Sequence, residues 1–178
     1  MEIDSFAFSN GWKIPEKYTI DGEGISPPLH WRGVPKNTKS LTLIVADPDV
    51  PHTILPKGEL IHWMVVNIPP FVAGIMEGAD FSGTDVLVLP NGTVLLDSPP
   101  AFAKNFCPLS PPDKEHRYFF DLYALDSMLE ISPYATYEEL IEIIKSKTLA
   151  VASLMGVYGP AKKSPQQPLR SISKYAGG

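Results

Sequence analysis

The sequence has little that crosslinks, spans or coils. Cys107 is the one cysteine among 178 residues, so no disulfide can form within the chain. A lone cysteine points to a reducing compartment, or to a fold that needs no staple. No run of 18 apolar residues occurs, which predicts no stable membrane insertion. The segment Met1–Phe8 carries two acids and lacks the basic-then-apolar order of a signal peptide. Together these features predict a cytoplasmic protein. Basic charge is also short: 15 Lys and Arg stand against 20 Asp and Glu, a formal net charge of -5. Such a surface offers no general attraction for nucleic acid. The cluster Lys162, Lys163, Arg170 and Lys174 reads as part of a solvated tail.

Familiar catalytic signatures are missing as well. There is no P-loop and no Gly-x-Gly-x-x-Gly, so nucleotide chemistry lacks support. No Gly-x-Ser-x-Gly elbow is present, and Ser110 sits in a proline cluster. No His-x-x-x-His pair offers a helical metal site. No cofactor is implied. Long helices are scarce too, because 19 prolines (about 11% of the chain, against a typical ~5%) and 13 glycines interrupt it.

What remains is a set of apolar strands separated by proline-rich connections. Leu41–Ala46 and Leu60–Ile68 read as fully buried strands, and His116–Leu125 as a third, rich in aromatics. Val86–Leu89 and Thr93–Leu96 flank Pro90-Asn91-Gly92, a hairpin-turn pattern. The spacing predicts one helix from Thr136, where Thr136 and Glu139 match a capping box. Leu140, Ile141, Ile144, Leu149 and Leu154 extend its apolar stripe toward Gly156 and Gly159-Pro160. The fold class is mainly β: an antiparallel β-sandwich of two sheets with a small number of peripheral helices. Residues 1–160 form a single domain in this reading, and 161–178 a C-terminal extension.

Polar residues break the strands at three places. Asp47-Pro48-Asp49 ends the first strand, His62 lies inside the second, and His116 opens the third. If these strands are neighbours, two acids and two imidazoles converge at one end of the sandwich. Imidazoles and Arg117 supply donors for an anion, and an Asp fixes a histidine tautomer by accepting from its second ring nitrogen. A metal-assisted hydrolase using Asp47, Asp49, His62 and His116 is an alternative. A thiol nucleophile at Cys107 is another. An inhibitory surface loop at Thr53–Gly58 or Pro99–Pro112 is a third. His30 and His52 are expected in solvent-facing loops.

Four stretches, in this order, resemble one family: Gly24-Ile25-Ser26-Pro27-Pro28-Leu29-His30-Trp31, Leu43–Pro51 with its Asp-Pro-Asp-x-Pro, His62–Pro69, and His116-Arg117-Tyr118-Phe119-Phe120. The chain resembles the phosphatidylethanolamine-binding proteins, also called Raf kinase inhibitor-like proteins, in their bacterial and archaeal branch. The segment ending at Leu154–Gly159 is similar to the branch's last helix. The resemblance implies a non-enzymatic β-sandwich whose pocket holds phosphate or a phospholipid head group. It places Asp47, Asp49, His62, His116 and Tyr118 on that pocket, Pro51 on its rim and Pro112 in its wall. His62 and His116 then face the anion, while Asp47 and Asp49 hold the imidazoles and loop. Arg117 supports the fold from the opposite face. A kinase or serine protease is the implied protein partner, and a homodimer the implied assembly. The sequence departs from the branch where Pro108-Leu109-Ser110-Pro111-Pro112 replaces Gly-Pro-Cys-Pro-Pro, and where Glu115 precedes His116.

Overall fold

The computed structural model describes residues 1–82, 84–89 and 106–159. In chain order its elements are β1 (Glu2–Asp4), a 3-10 turn (Glu16–Tyr18), β2 (Leu29–Arg32), β3 (Ser40–Asp47) and β4 (Leu60–Ile68). Then come β5 (Gly74–Ile75), β6 (Leu87–Val88), β7 (His116–Leu125), α1 (Tyr137–Lys145) and β8 (Thr148–Tyr158). The small sheet runs β1-β2-β5 and the large one β6-β4-β3-β7-β8. Every paired strand is antiparallel.

Every residue of β3 is buried, because both faces of this central strand are covered. On one face Leu41, Leu43 and Val45 meet Ile3, Leu29, Trp31 and Ile75 of the small sheet. On the other, Ile44 and Ala46 join Leu140 and Ile144 of α1. The sandwich class and the three main strands match expectation. Of the proposed hairpin, Leu87–Val88 forms β6, and residues 90–105 lie outside the described residues.

The helix is shorter than its stripe suggests. Thr136 and Glu139 form the reciprocal capping box, but α1 stops at Lys145. From Thr148 the chain is strand β8, paired along its length with β7. Its buried residues alternate, with Ala152, Leu154, Gly156 and Tyr158 inward. Leu149 and Val151 face solvent, so Leu149 never belonged to a helical stripe. Pairing with β7 overrides a weak helical pattern in a segment with little intrinsic preference. The outer edge of β8 is closed by residues 11–14: Ile14 N–H donates to the Val157 carbonyl at 2.8 Å, and Val157 N–H to that of Trp12 at 3.0 Å. Among the described residues no helix is long and apolar enough to cross a membrane.

Candidate functional site

The polar site lies where β3 ends and β7 begins. The two strands are antiparallel neighbours, with Ala46 opposite Phe119. Leu43 and Val45 face the interior of the sandwich, so Asp47, next in that alternation, does too. Tyr118, Phe120 and Leu122 face the same way, and alternation carries His116 with them. Asp47 is 2% exposed and His116 0%. His116 Nδ1 lies 2.8 Å from Asp47 Oδ2.

The second ring nitrogen also meets a carboxylate. His116 Nε2 lies 2.8 Å from Oδ1 of Asp113. Carboxylates only accept, so the ring donates from both nitrogens and is the imidazolium. Burial works to lower the His116 pKa, but hydrogen bonds and charge from Asp47 and Asp113 outweigh it and raise the pKa. Asp113 is held below its ordinary value, first by its bond to His116. Sequence reasoning missed Asp113. Its signal was a carboxylate three residues before a strand-opening histidine.

His62 reaches the site through an irregularity. Val45 pairs with Trp63 and Ala46 with Ile61, which leaves His62 as the extra residue of a β-bulge. Its ring stands edge-on to Tyr118, with centroids 5.4 Å apart. Cys107 N–H donates to the His62 carbonyl at 2.9 Å. His62 Nδ1 lies 3.0 Å from the Cys107 carbonyl oxygen. A carbonyl only accepts, so Nδ1 carries the proton and Nε2 presents a lone pair. Burial lowers the His62 pKa and keeps the ring neutral. His62 Nε2 and Tyr118 Oη are both buried without a hydrogen-bond partner among the described residues. Burial, and then the charge of Asp47, pushes the Tyr118 pKa up, so its hydroxyl keeps its proton.

The other expected residues take different places. Asp49 binds Arg117 rather than an imidazole. Arg117 Nε donates to Oδ2 at 2.9 Å and Nη2 to Oδ1 at 2.7 Å, and the Arg117 backbone N–H also donates to Oδ2. The guanidinium holds the Asp49 pKa down to about 2. This fork pins the loop after β3 to β7 from the outer face. Pro51 is half-buried, and its carbonyl accepts from Ile54 and Leu55 in a turn. Pro112 is exposed, whereas Phe106, Cys107, Pro108 and Leu109 form the buried wall beside His62. Glu115 is exposed, so the carboxylate that meets His116 comes from Asp113.

Two further expectations change. His30 lies on β2, half-buried, with its ring stacked on Phe6 at 4.2 Å between centroids. His52 does face solvent, hydrogen-bonded to the Pro56 carbonyl at 3.0 Å. Cys107 does not suit nucleophilic chemistry, because burial pushes its thiol up to about 11. Among the described residues no group of three His, Cys, Asp or Glu is arranged to hold a metal ion. A cleft of about 500 Å³ beside α1 is lined by Glu130, Glu138, Glu139 and Glu142 with Ile131 and Ile143. None of the buried, unpartnered polar atoms belongs to its lining.

Residues 4–159 match the family profile described as phosphatidylethanolamine-binding protein. A UPF0098 protein of Chlamydia trachomatis is 42% identical over 158 residues, covering 89% of this chain and 98% of the relative. One from Methanothermobacter thermautotrophicus is 41% identical over 160 residues, with 89% and 98% covered. The crystal structure of a putative phosphatidylethanolamine-binding protein homolog from C. trachomatis superposes with a TM-score of 0.78 at 42% identity, covering 88% of this chain and 95% of that one. Escherichia coli YbcL, described as a new member of the mammalian PEBP family, superposes at 0.69 with 26% identity, covering 88% and 96%.

Proposed function

Because the chain belongs to the phosphatidylethanolamine-binding protein family, whose shared role is non-catalytic ligand binding, we propose that it binds a small phosphate-like anion where β3 and β7 meet. His116, Asp47, His62 and Tyr118 carry the site in this reading. Asp49, Pro51 and Pro112 frame it. The carrying observation is a pair of buried polar atoms, His62 Nε2 and Tyr118 Oη, without a hydrogen-bond partner among the described residues, beside a buried imidazolium. Leaving such atoms bare costs about 1–3 kcal/mol each. A ligand supplies what they lack. Tyr118 donates to an anionic oxygen, and His116 supplies positive charge. His62 Nε2 requires a donor, which a singly protonated phosphate group has in its P–OH.

Calorimetric titration with inorganic phosphate and with phosphoethanolamine tests this. Tyr118→Phe removes one unpartnered hydroxyl and leaves the packing intact. It is expected to fold normally and to bind roughly tenfold more weakly, the worth of one hydrogen bond to a charged group. No binding by the unaltered protein, or equal affinity in Tyr118→Phe, refutes the assignment.

The same reading takes residues 1–160 as one domain with 161–178 beyond it. Control of a kinase or a serine protease is a separate activity. Its surface would be the loop Thr53–Gly58, where Ile54 is 55% exposed; residues 99–105 of the other candidate loop lie outside the described residues. A serine protease panel tests the inhibitory form.

A further inference from the structure

His116 holds one carboxylate too many for a simple anion site. Asp47 is fixed on a central strand, 2% exposed, and its bond to Nδ1 follows from strand register. Asp113 differs in every respect. It lies in the connection before β7, where Pro112, Asp113, Lys114 and Glu115 are all exposed. Its side chain is 45% exposed, against 0% for the ring it binds. Nδ1 therefore faces the core, and Nε2 faces the one partner that can leave without disturbing packing.

We propose that Asp113 is an internal competitor for the ligand, occupying the outward nitrogen of His116 until an incoming anion displaces it, and that it thereby sets which anions the site accepts. The inference rests on the anion-binding reading above and names the residue that controls it. Its physical basis is exchange. A ligand oxygen gains His116 Nε2–H only by breaking the Asp113 contact at 2.8 Å. Asp113 is tethered three residues away, so its local concentration is on the order of millimolar or more. A simple carboxylate such as acetate offers His116 no more than Asp113 already gives, and it is excluded. A protonated phosphate offers the same oxygen and, in the site proposed above, also a partner for Tyr118 Oη and His62 Nε2, which have none among the described residues. Only a ligand with these additional bonds displaces Asp113, so the competitor converts weak charge recognition into selection for a tetrahedral, proton-bearing anion.

The alternative role for Asp113 makes the opposite prediction. If it merely sustains the charge of His116, its removal weakens anion binding. If it competes, its removal strengthens binding. Titration of inorganic phosphate and of acetate into the unaltered protein, Asp113→Asn and Asp113→Ala separates the two. Asp113→Ala is expected to bind phosphate about tenfold more tightly, the worth of the contact that no longer has to be broken. It is also expected to bind acetate, which then fills the place the side chain left. Asp113→Asn, which keeps an acceptor without the charge, falls between. Unchanged or weaker phosphate binding in Asp113→Ala, with binding intact in the unaltered protein, overturns this inference and leaves the anion site standing. Absence of phosphate binding by the unaltered protein overturns both.

Discussion

Asp47 is the residue whose loss the structure penalises most clearly. Its carboxylate faces the His116 ring at 2.8 Å with both side chains out of solvent. It also accepts the Asp49 N–H through Oδ1 at 2.9 Å, which shapes the turn leaving β3. Asp47→Ala strands a buried cation on its inner side and frees that turn. Breaking a buried pair from one side costs roughly 3–5 kcal/mol. At about 2–4 °C per kcal/mol for a domain of this size, the melting temperature falls by roughly 6–20 °C. Asp47→Asn keeps the shape and one acceptor, so only the charge-assisted part is lost, about 1–2 kcal/mol.

The pH dependence supplies the sharper check. The His116 pKa is raised in the folded state, because the two carboxylates outweigh the effect of burial. A raised histidine pKa contributes its stability in full below the unfolded value of about 6.5 and loses it as pH climbs through the folded value. Asp47→Asn removes one of the two charges responsible. The stability gap between the unaltered protein and Asp47→Asn is therefore widest below the unfolded value of about 6.5 and narrows as pH rises above it through the raised folded value. Urea unfolding across that range, followed by tryptophan fluorescence, measures it. A cost below about 1 kcal/mol for Asp47→Ala, or a gap for Asp47→Asn that stays constant with pH, refutes the buried imidazolium pair.

Asp49 behaves in the opposite sense. Its pKa is lowered to about 2 by the Arg117 fork, so its contribution is present above the ordinary value of 3.8 and disappears as pH falls through 2. Asp49→Asn is expected to be less stable at neutral pH and to converge with the unaltered protein in acid; parallel acid-unfolding curves would show that the fork stabilises nothing. Asn67 has φ at 61° and ties the chain at Leu129 by two bonds, Nδ2–H to the Leu129 carbonyl at 3.0 Å and Leu129 N–H to Oδ1 at 2.8 Å. Asn67→Ala loses both bonds and places an ordinary residue in the left-handed region, for a cost of about 2–4 kcal/mol, whereas Asn67→Gly escapes the backbone part. Equal urea midpoints for the two variants would contradict that division.

Strands with dense β-branched or aromatic cores were legible because their pattern has one physical solution, burial between layers. β4 and β7 have the bounds their apolar runs suggest. The end of α1 was not legible. Thr136 and Glu139 announce the start chemically, through hydrogen bonds that nearby residues supply, but the stop has no such local marker. Ser146 closes the helix and the chain turns at Lys147 into a strand that exists because β7 has a free edge. Nothing within residues 148–158 states that such an edge is waiting. The same limit applies to Asp113, which meets His116 from the exposed connection before β7.

The site shows why strand parity alone would place its histidines wrongly. Met64 and Val66 point toward α1, and strict alternation would send His62 the same way, away from Tyr118. The bulge inserts one residue between Ile61, which joins the helix-side core, and Trp63, which joins the sandwich core. The side-chain direction switches across His62, and its ring turns toward Tyr118. The Cys107 backbone then captures the ring through Nδ1 and takes the place of a regular ladder partner. One imidazole is thus delivered by register and held charged by carboxylates, while the other is delivered by an irregularity and held neutral by burial, with a carbonyl fixing its tautomer. Two histidines of the same type become a cation and a lone pair, separated by the environment each strand gives it. In the anion-binding reading proposed above, that division offers both a donor and an acceptor to the same ligand.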